Sequence, residues 1–294
     1  MTNRGYAYRE RISHRAAGRT VLAHLGTFGH TGEEAWRSHL AEGRVTLDGE
    51  VPDPEAVLGL GQELIWSRPP WEEPAAPLST AILFEDAHLV AVAKPSGLPT
   101  LPGANFLEHT LLALVRRRHP EASPLHRLGR GTSGLVLFAR TEAARAALAR
   151  SFREHDLRKI YRALATGHPA AEAFTLETPI GAVPHALLGT VHAASPEGRP
   201  SRSEAAVLQR RGDGTSLMEV TIHTGRPHQI RIHLAAAGHP LVGDPLYLPG
   251  GHARADAVPG DLGYHLHALR LEGVNPLTGE AFRLFCQAPP ELRP

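Results

Sequence analysis

LVLFARTEAARAALARSFREHDLRKIYRALA, running from Leu135 to Ala165, is the stretch that decides the fold class. It opens on Leu135 to Ala139, an unbroken apolar run of the kind that forms a strand buried on both faces. Thr141 follows as a helix N-cap, and Glu142 sits in the first turn, where the helix dipole favours a carboxylate. Ala144, Leu148 and Phe152 then recur at helical spacing. Ile160 to Ala165 returns to strand character and ends at Gly167. Further along, Ala205 to Leu208 and Leu217 to Ile222 flank Gly212-Asp213-Gly214, which reads as a hairpin. Pro227 is placed in the first turn of a helix carrying Ile230, Leu234 and Ala237, closed by Gly238. Strands dominate, helices are scattered, and no regular β-α-β succession appears. The expectation is therefore α+β rather than a doubly wound sheet.

Upstream, Ile82 to Phe84 and Leu89 to Ala93 are two apolar runs split by Glu85-Asp86. Before them lies RPPWEEPAAPL, residues 68–78, whose prolines favour an extended linker. The expected division is a small domain over 1–67, a linker over 68–78 and a large domain over 79–294. In the small domain, Glu33 to Ala41 reads as a helix with Ala35, Trp36 and Leu40 on one side, stopped by Gly43. Arg44 to Leu47 alternates like a strand, and Asp48-Gly49 is a turn signal. The Thr20 to Leu25 segment is only weakly marked as a helix. A helix followed by the hairpin GRVTLDGEVPD resembles the alpha-L-type RNA-binding domain.

Composition narrows the class. The chain has 294 residues, 42% of them hydrophobic and 21% charged, with a formal net charge of +1. This excludes a disordered tail and a strongly basic packaging protein. Cys286 stands alone, so neither an internal disulfide nor a cysteine-rich zinc site is possible. No apolar run approaches a membrane span, and MTNRGYAYRER lacks the apolar core of a signal peptide, so a cytoplasmic location is expected. Only Lys94 and Lys159 are lysines among the basic side chains, and both fall inside segments picked out next.

Four segments are too polar to be ordinary loops: Lys94 to Leu98 (KPSGL), His126 to Gly134 (HRLGRGTSG), Lys159 with Tyr161, and Thr224 to Leu234 (TGRPHQIRIHL). The last is followed by Gly238-His239-Pro240 and Gly243-Asp244. Taken singly, each has a bland reading: a glycine turn, a solvated arginine, a core tyrosine. A metal site is not expected. His228 and His233 lack the i, i+4 spacing that places two ligands on one helical face, and His265 and His267 have no accompanying carboxylate. No phosphate loop and no H-E-x-x-H is present.

Taken together, in order and spacing, the segments resemble the RluA family of RNA pseudouridine synthases, with its K-P-x-G-L, H-R-L-D-x-x-T-S-G, K-x-Y, T-G-R-x-H-Q-I-R-x-H-L and G-H-P-x-x-G-D signatures. Leu266-His267-Ala268 and Asn275 to Glu280 extend the match, which covers Ile82 to the end. The resemblance implies a large mixed, mainly antiparallel sheet with flanking helices and a central cleft, preceded by a small α+β RNA-binding domain. It implies conversion of uridine to pseudouridine in ribosomal or transfer RNA, with no cofactor, no metal, no membrane and no obligate protein partner. Tyr161 would pack against the flipped base and share in proton transfer, and Arg231 would hold the catalytic carboxylate. Lys94, His126, Arg127, Arg130, Thr132, Lys159, Arg226, His228 and Gln229 would bind RNA. Arg127, Arg130, Arg226 and Arg231 are expected to converge on one cleft, making affinity salt-dependent.

One position departs from the pattern. The family's catalytic aspartate is the fourth residue of H-R-L-D, and here that residue is Gly129. Three explanations stand: an RNA-binding paralogue without catalysis, another carboxylate in its place (Glu154, Asp156 or Asp244), or an altered coding sequence. An unpaired Arg231 is costly when buried, so water, an anion, Asp156 or Asp244 is expected to meet it. Replacement Gly129→Asp is expected to create or raise activity, provided residue 129 has a negative φ.

Overall fold

A computed structural model describes residues 2–28 and 31–294. The chain divides into two compact units, Met1–Glu73 and Pro74–Pro294.

The first unit holds β1 (Tyr6–Arg11), α1 (Val21–Gly26), α2 (Glu33–Ala41), β2 (Val45–Leu47) and β3 (Glu63–Arg68). Its three-stranded sheet has the order β1-β3-β2, antiparallel throughout. The weakly marked helix exists, and Thr20 caps it by accepting from the Ala23 amide. Asp48 and Gly49 both take positive φ, as a tight hairpin turn requires. Trp36 and Trp66 meet edge to face at 4.7 Å and anchor a core with Val21, Leu25, Leu40 and Leu64. The junction falls at 73/74, inside the 68–78 strip, and that strip is not a free tether. Asn3 donates its amide to the Trp71 carbonyl and its side chain to Glu73, and Arg68 lies 3.6 Å over the Trp71 ring. Beyond the junction, Ala76 packs into the core of the second unit.

The second unit contains β4 (Ala81–Glu85), β5 (Leu89–Lys94), α3 (Leu111–Arg116), β6 (Ser123–Pro124), β7 (Ser133–Ala139), α4 (Glu142–Glu154), β8 (Arg158–Thr166), β9 (Ala173–Leu176), β10 (Ile180–His185), β11 (Gly189–Ala194), β12 (Ser203–Arg210), β13 (Thr215–Ile222), α5 (Gln229–Ala236), β14 (Leu266–Val274) and β15 (Ala281–Phe285). The main sheet runs β4-β5-β7-β14-β8-β13-β12-β9, with β15 on β14 and β6 on β7; β10 and β11 form a separate hairpin. Every pairing is antiparallel except β7 with β14. The fold is α+β with a mixed, mainly antiparallel sheet.

Strand β7 is buried on both faces for the reason its sequence shows. Leu135, Leu137 and Ala139 pack with Ala144 and Leu148 of α4, while Val136 and Phe138 pack with Leu111 and Val115 of α3. Gly134 is required where β7 meets β14: its φ is +115°, and a Cβ would lie 2.3 Å from the Ala268 carbonyl oxygen. Pro227 is not in the first turn of α5. The helix begins at Gln229, two residues later than that placement needs, with His228 as a left-handed N-cap. Ile230 and Leu234 face β8 and β13, and Ile232 and Ala235 face β10 and β11, so α5 is buried on opposite sides.

Candidate active site

Two loops are stitched together beside the start of β7. Lys94, 1% exposed at the end of β5, donates its ammonium to the carbonyls of Pro95, Leu98 and Arg130. Ser96 donates to the Gly131 carbonyl, and the Thr100 hydroxyl donates to the carbonyl of Leu128 while accepting from its amide. The KPSGL and HRLGRGTSG segments are thus one structural unit. Burial, and then the Arg130 guanidinium, push the Lys94 pKa down to about 7. Its three N–H donors meet three carbonyls, and this pairing favours keeping the proton. The expected cationic contact to RNA is instead an internal clamp.

Next to this unit lies a pocket of about 110 Å³ between the 127–132 loop, β8, the end of β13 and the start of α5. Arg127, Gly129, Thr132, Tyr161, Arg226, His228, Gln229 and Arg231 line it, with Leu128, Ile222, Ile230, Tyr264 and Leu266 as its remaining walls. Four predicted residues lie outside this lining. Besides Lys94, Arg130 donates to the Gly97 carbonyl and lies over Phe106, so it does not join the other arginines. His126 stacks on Phe152 and accepts the Leu137 amide through Nε2. Burial, and then nearby Lys159, lower the His126 pKa to about 4. Lys159 stands two residues before Tyr161 on β8, and burial lowers its pKa as well.

Arg231 is the buried centre of the site. Nε and Nη2 each donate to one oxygen of Asp244 at 2.7 Å, a bidentate pair with side-chain exposures of 2% and 1%. Asp244 also accepts from the Leu246 and Tyr247 amides. The guanidinium lies 4.1 Å over the Tyr264 ring and 4.9 Å over Tyr247. Burial, the largest single influence, lowers the Arg231 pKa, but the Asp244 hydrogen bonds together with the electrostatic pull of Tyr264, Asp244 and Tyr247 outweigh it and hold the group raised. Of the partners expected for Arg231, Asp244 is the one that meets it.

No positive φ constrains Gly129, and the space where its side chain would be is already bounded. A Cβ there would come 3.0 Å from the Tyr264 hydroxyl, and one on Gly131 would meet the Tyr264 ring at 2.8 Å. Tyr264, 5% exposed, pairs its hydroxyl with Thr132 Oγ1 at 3.3 Å. Among the described residues no carboxylate lines the pocket. Glu154 and Asp156 are exposed and outside the lining, and Asp244 is engaged with Arg231. Burial pushes the Tyr161 hydroxyl to about 12, so it is protonated and a donor.

Gln229 spends its amide on structure: Oε1 accepts from Thr224 and the Arg226 amide, and Nε2 donates to the Arg202 carbonyl and Ser203. His233 and His267 are likewise committed to internal partners, His233 to Ser201, Ser203 and the Thr178 carbonyl, His267 to Ser133 and the Cys286 carbonyl.

The profile of the RNA pseudouridylate synthase family matches residues 88–236, which include every one of the four motif segments. The chain is 45% identical to an uncharacterized RNA pseudouridine synthase of Synechocystis sp., over 90% of this chain and 91% of that protein. It is 36% identical to the dual-specificity RNA pseudouridine synthase RluA of Vibrio vulnificus, over 67% of this chain and 78% of that one. The chain belongs to the RluA family of RNA pseudouridine synthases. A solved human structure, RNA pseudouridylate synthase domain containing 1, shares the fold with a TM-score of 0.57 and 28% identity, over 76% of this chain and 89% of that one. Within this RluA-family site, sequence reasoning missed Tyr247 and Tyr264. Tyr247 follows Asp244 closely enough to be found from GDPLY, whereas nothing local marks Tyr264.

Proposed function

We propose that this chain isomerises uridine to pseudouridine in ribosomal or transfer RNA, and that the pocket around Tyr161 and Arg231 receives the flipped base. The observation that carries the reading is the gathering of Arg127, Thr132, Tyr161, Arg226 and Arg231 around one cavity in a chain of this family. Extrusion of a base costs a few kcal/mol, and contacts to phosphates supply it. Arg127 and Arg226 are the lining cations for that task. The first unit adds Arg4, Arg9, Arg11, Arg15 and Arg19 in a stretch whose single acidic residue is Glu10, and we assign it as the alpha-L-type RNA-binding domain. Arg127 and Arg226, which meet no carboxylate among the described residues, also favour departure of the uracil as an anion. Nothing in the reading calls for a cofactor, and no helix among the described residues is long and apolar enough to cross a membrane. The cytoplasm is the compartment we assign.

The lack of a carboxylate in the lining favours a second reading, in which the chain binds RNA without modifying it. One experiment separates the two. RNA from cells lacking the gene is incubated with the purified chain, and pseudouridine is mapped by carbodiimide adduct formation and primer extension. The enzymatic reading expects a stop at a discrete uridine. Binding with no new stop supports the second reading.

A further inference from the structure

His228 is the residue of the pocket whose state is most tightly prescribed. It caps α5 with φ of +54°, a left-handed conformation uncommon for a residue with a side chain. Such strain persists where surrounding structure enforces it, and it clusters at functional positions. Its Nδ1 lies 2.7 Å from the Tyr247 hydroxyl, and that hydroxyl donates its only proton to the His192 carbonyl at 2.7 Å. Nδ1 must therefore carry a proton and donate to the Tyr247 oxygen. In the neutral ring this leaves a lone pair on Nε2. Among the described residues no group hydrogen-bonds Nε2, and it is not among the sealed buried atoms.

The other polar groups of the lining cannot accept a proton. The arginines are donors only. Tyr161 holds its own proton, Gln229 has both ends engaged, and Thr132 is paired with Tyr264. The pocket needs a base, and His228 lines it with an Nε2 that no group among the described residues engages.

Resting on the reading that this pocket isomerises uridine, we propose that His228 is its catalytic base, standing in for the carboxylate that Gly129 lacks. The bonds balance as follows. The N1–C1′ bond breaks, and its electron pair leaves with the uracil. The ring turns, and C5 joins C1′, so that C5 now bears both the sugar carbon and its original hydrogen. Nε2 takes that proton, and the C5–H electron pair restores the ring unsaturation. The imidazolium then returns a proton to N1, so the product is an isomer of the substrate and the histidine is neutral again. No oxidant or co-reactant is involved. Burial, and then Arg231, keep the conjugate acid of His228 down at about 3. That basicity is close to a carboxylate's, whose ordinary pKa is about 4. The histidine can thus serve where a carboxylate would.

The test uses RNA from cells lacking the gene, labelled with tritium at uridine C5, because release of tritium to water reads the proposed step directly. His228→Asn is the first variant, since asparagine tolerates the left-handed backbone. His228→Gly is the second, with and without added imidazole. The proposal expects tritium release to fall by at least about 100-fold in both variants, and imidazole to recover part of the loss in His228→Gly. A merely structural histidine would not be rescued in this way. Release at the wild-type rate in either variant overturns the base while leaving the enzymatic reading intact, as does a loss that imidazole leaves unchanged. A wild-type chain that releases no tritium overturns both.

Discussion

At Gly129 a single hydrogen stands where a carboxylate is expected, and the neighbour that limits any replacement is Tyr264, whose hydroxyl would lie 3.0 Å from a new Cβ. A contact that close moves the ring by a few tenths of an ångström, so Gly129→Asp should cost about 1–3 kcal/mol of stability. Removing the obstructing atom with Tyr264→Phe should recover part of it, a coupling that urea titration of the single and double variants reads. The same aspartate places a carboxylate in the pocket, and it should return part of the tritium release lost in His228→Asn. The earlier motive for this substitution, an unpaired Arg231, has gone, since Asp244 holds the guanidinium on two oxygens. At this scale the motif residues were legible because they are contiguous in sequence. Tyr264 was not, because its partners Thr132 and Arg231 reach it only through the fold, and a tyrosine thirty or more residues from its partners carries no periodic signal.

The stitched loops after β5 and before β7 behave as one element, and Lys94 is the pin. Lys94→Met keeps the apolar stem but leaves the Pro95 and Leu98 carbonyl oxygens without their donor, while the Arg130 carbonyl keeps the Gly97 amide. Each buried unsatisfied acceptor costs about 1–3 kcal/mol, so a loss of about 2 kcal/mol or more is expected in a denaturant titration. Activity should fall with it, because the loop carrying Arg127 and Thr132 loses its brace. The helices α2 and α4 were readable from their stops, caps and spacing, and β5, β7, β8 and the β12–β13 hairpin from their apolar runs. The β10–β11 hairpin was missed. Its sequences, IGAVPH and GTVHAA, are short, rich in small residues and interrupted by a proline, so no alternation survives to be seen. Pro227 was placed inside α5 because proline favours a first turn, yet the left-handed His228 sets the start of the helix after it.

Across the whole molecule, partly buried histidines with lowered pKa values make stability fall in acid. Nε2 of His126 accepts the Leu137 amide, and protonation abolishes that bond. Its folded pKa of about 4 lies below the unfolded value of about 6.5. Between those values the unfolded chain binds the extra proton, so stability is full above pH 6.5 and falls as pH drops towards 4. The slope is about 1.4 kcal/mol per pH unit, or about 3 kcal/mol across the window. His228 acts in the same direction, with a folded pKa of about 3. In His126→Gln, whose side-chain oxygen can still accept the amide, the pH dependence of unfolding free energy should flatten by about one proton.

The insertion of β14 between β7 and β8 also says something about time. Among the described residues, β14 is the strand that joins the β4–β5–β7 portion of the sheet to the β8–β13–β12–β9 portion. The ribosome makes it after both. Domains generally fold as units as they emerge, and pairings between distant segments form slowly because loop closure precedes their reward. A nascent chain therefore carries Gly129 and Thr132 on one half-sheet and Tyr161 on the other, with no pocket between them. The cavity is expected to form only when synthesis has passed Val274 and cleared the exit tunnel, so a partly made chain lacks the cleft proposed above to receive the base.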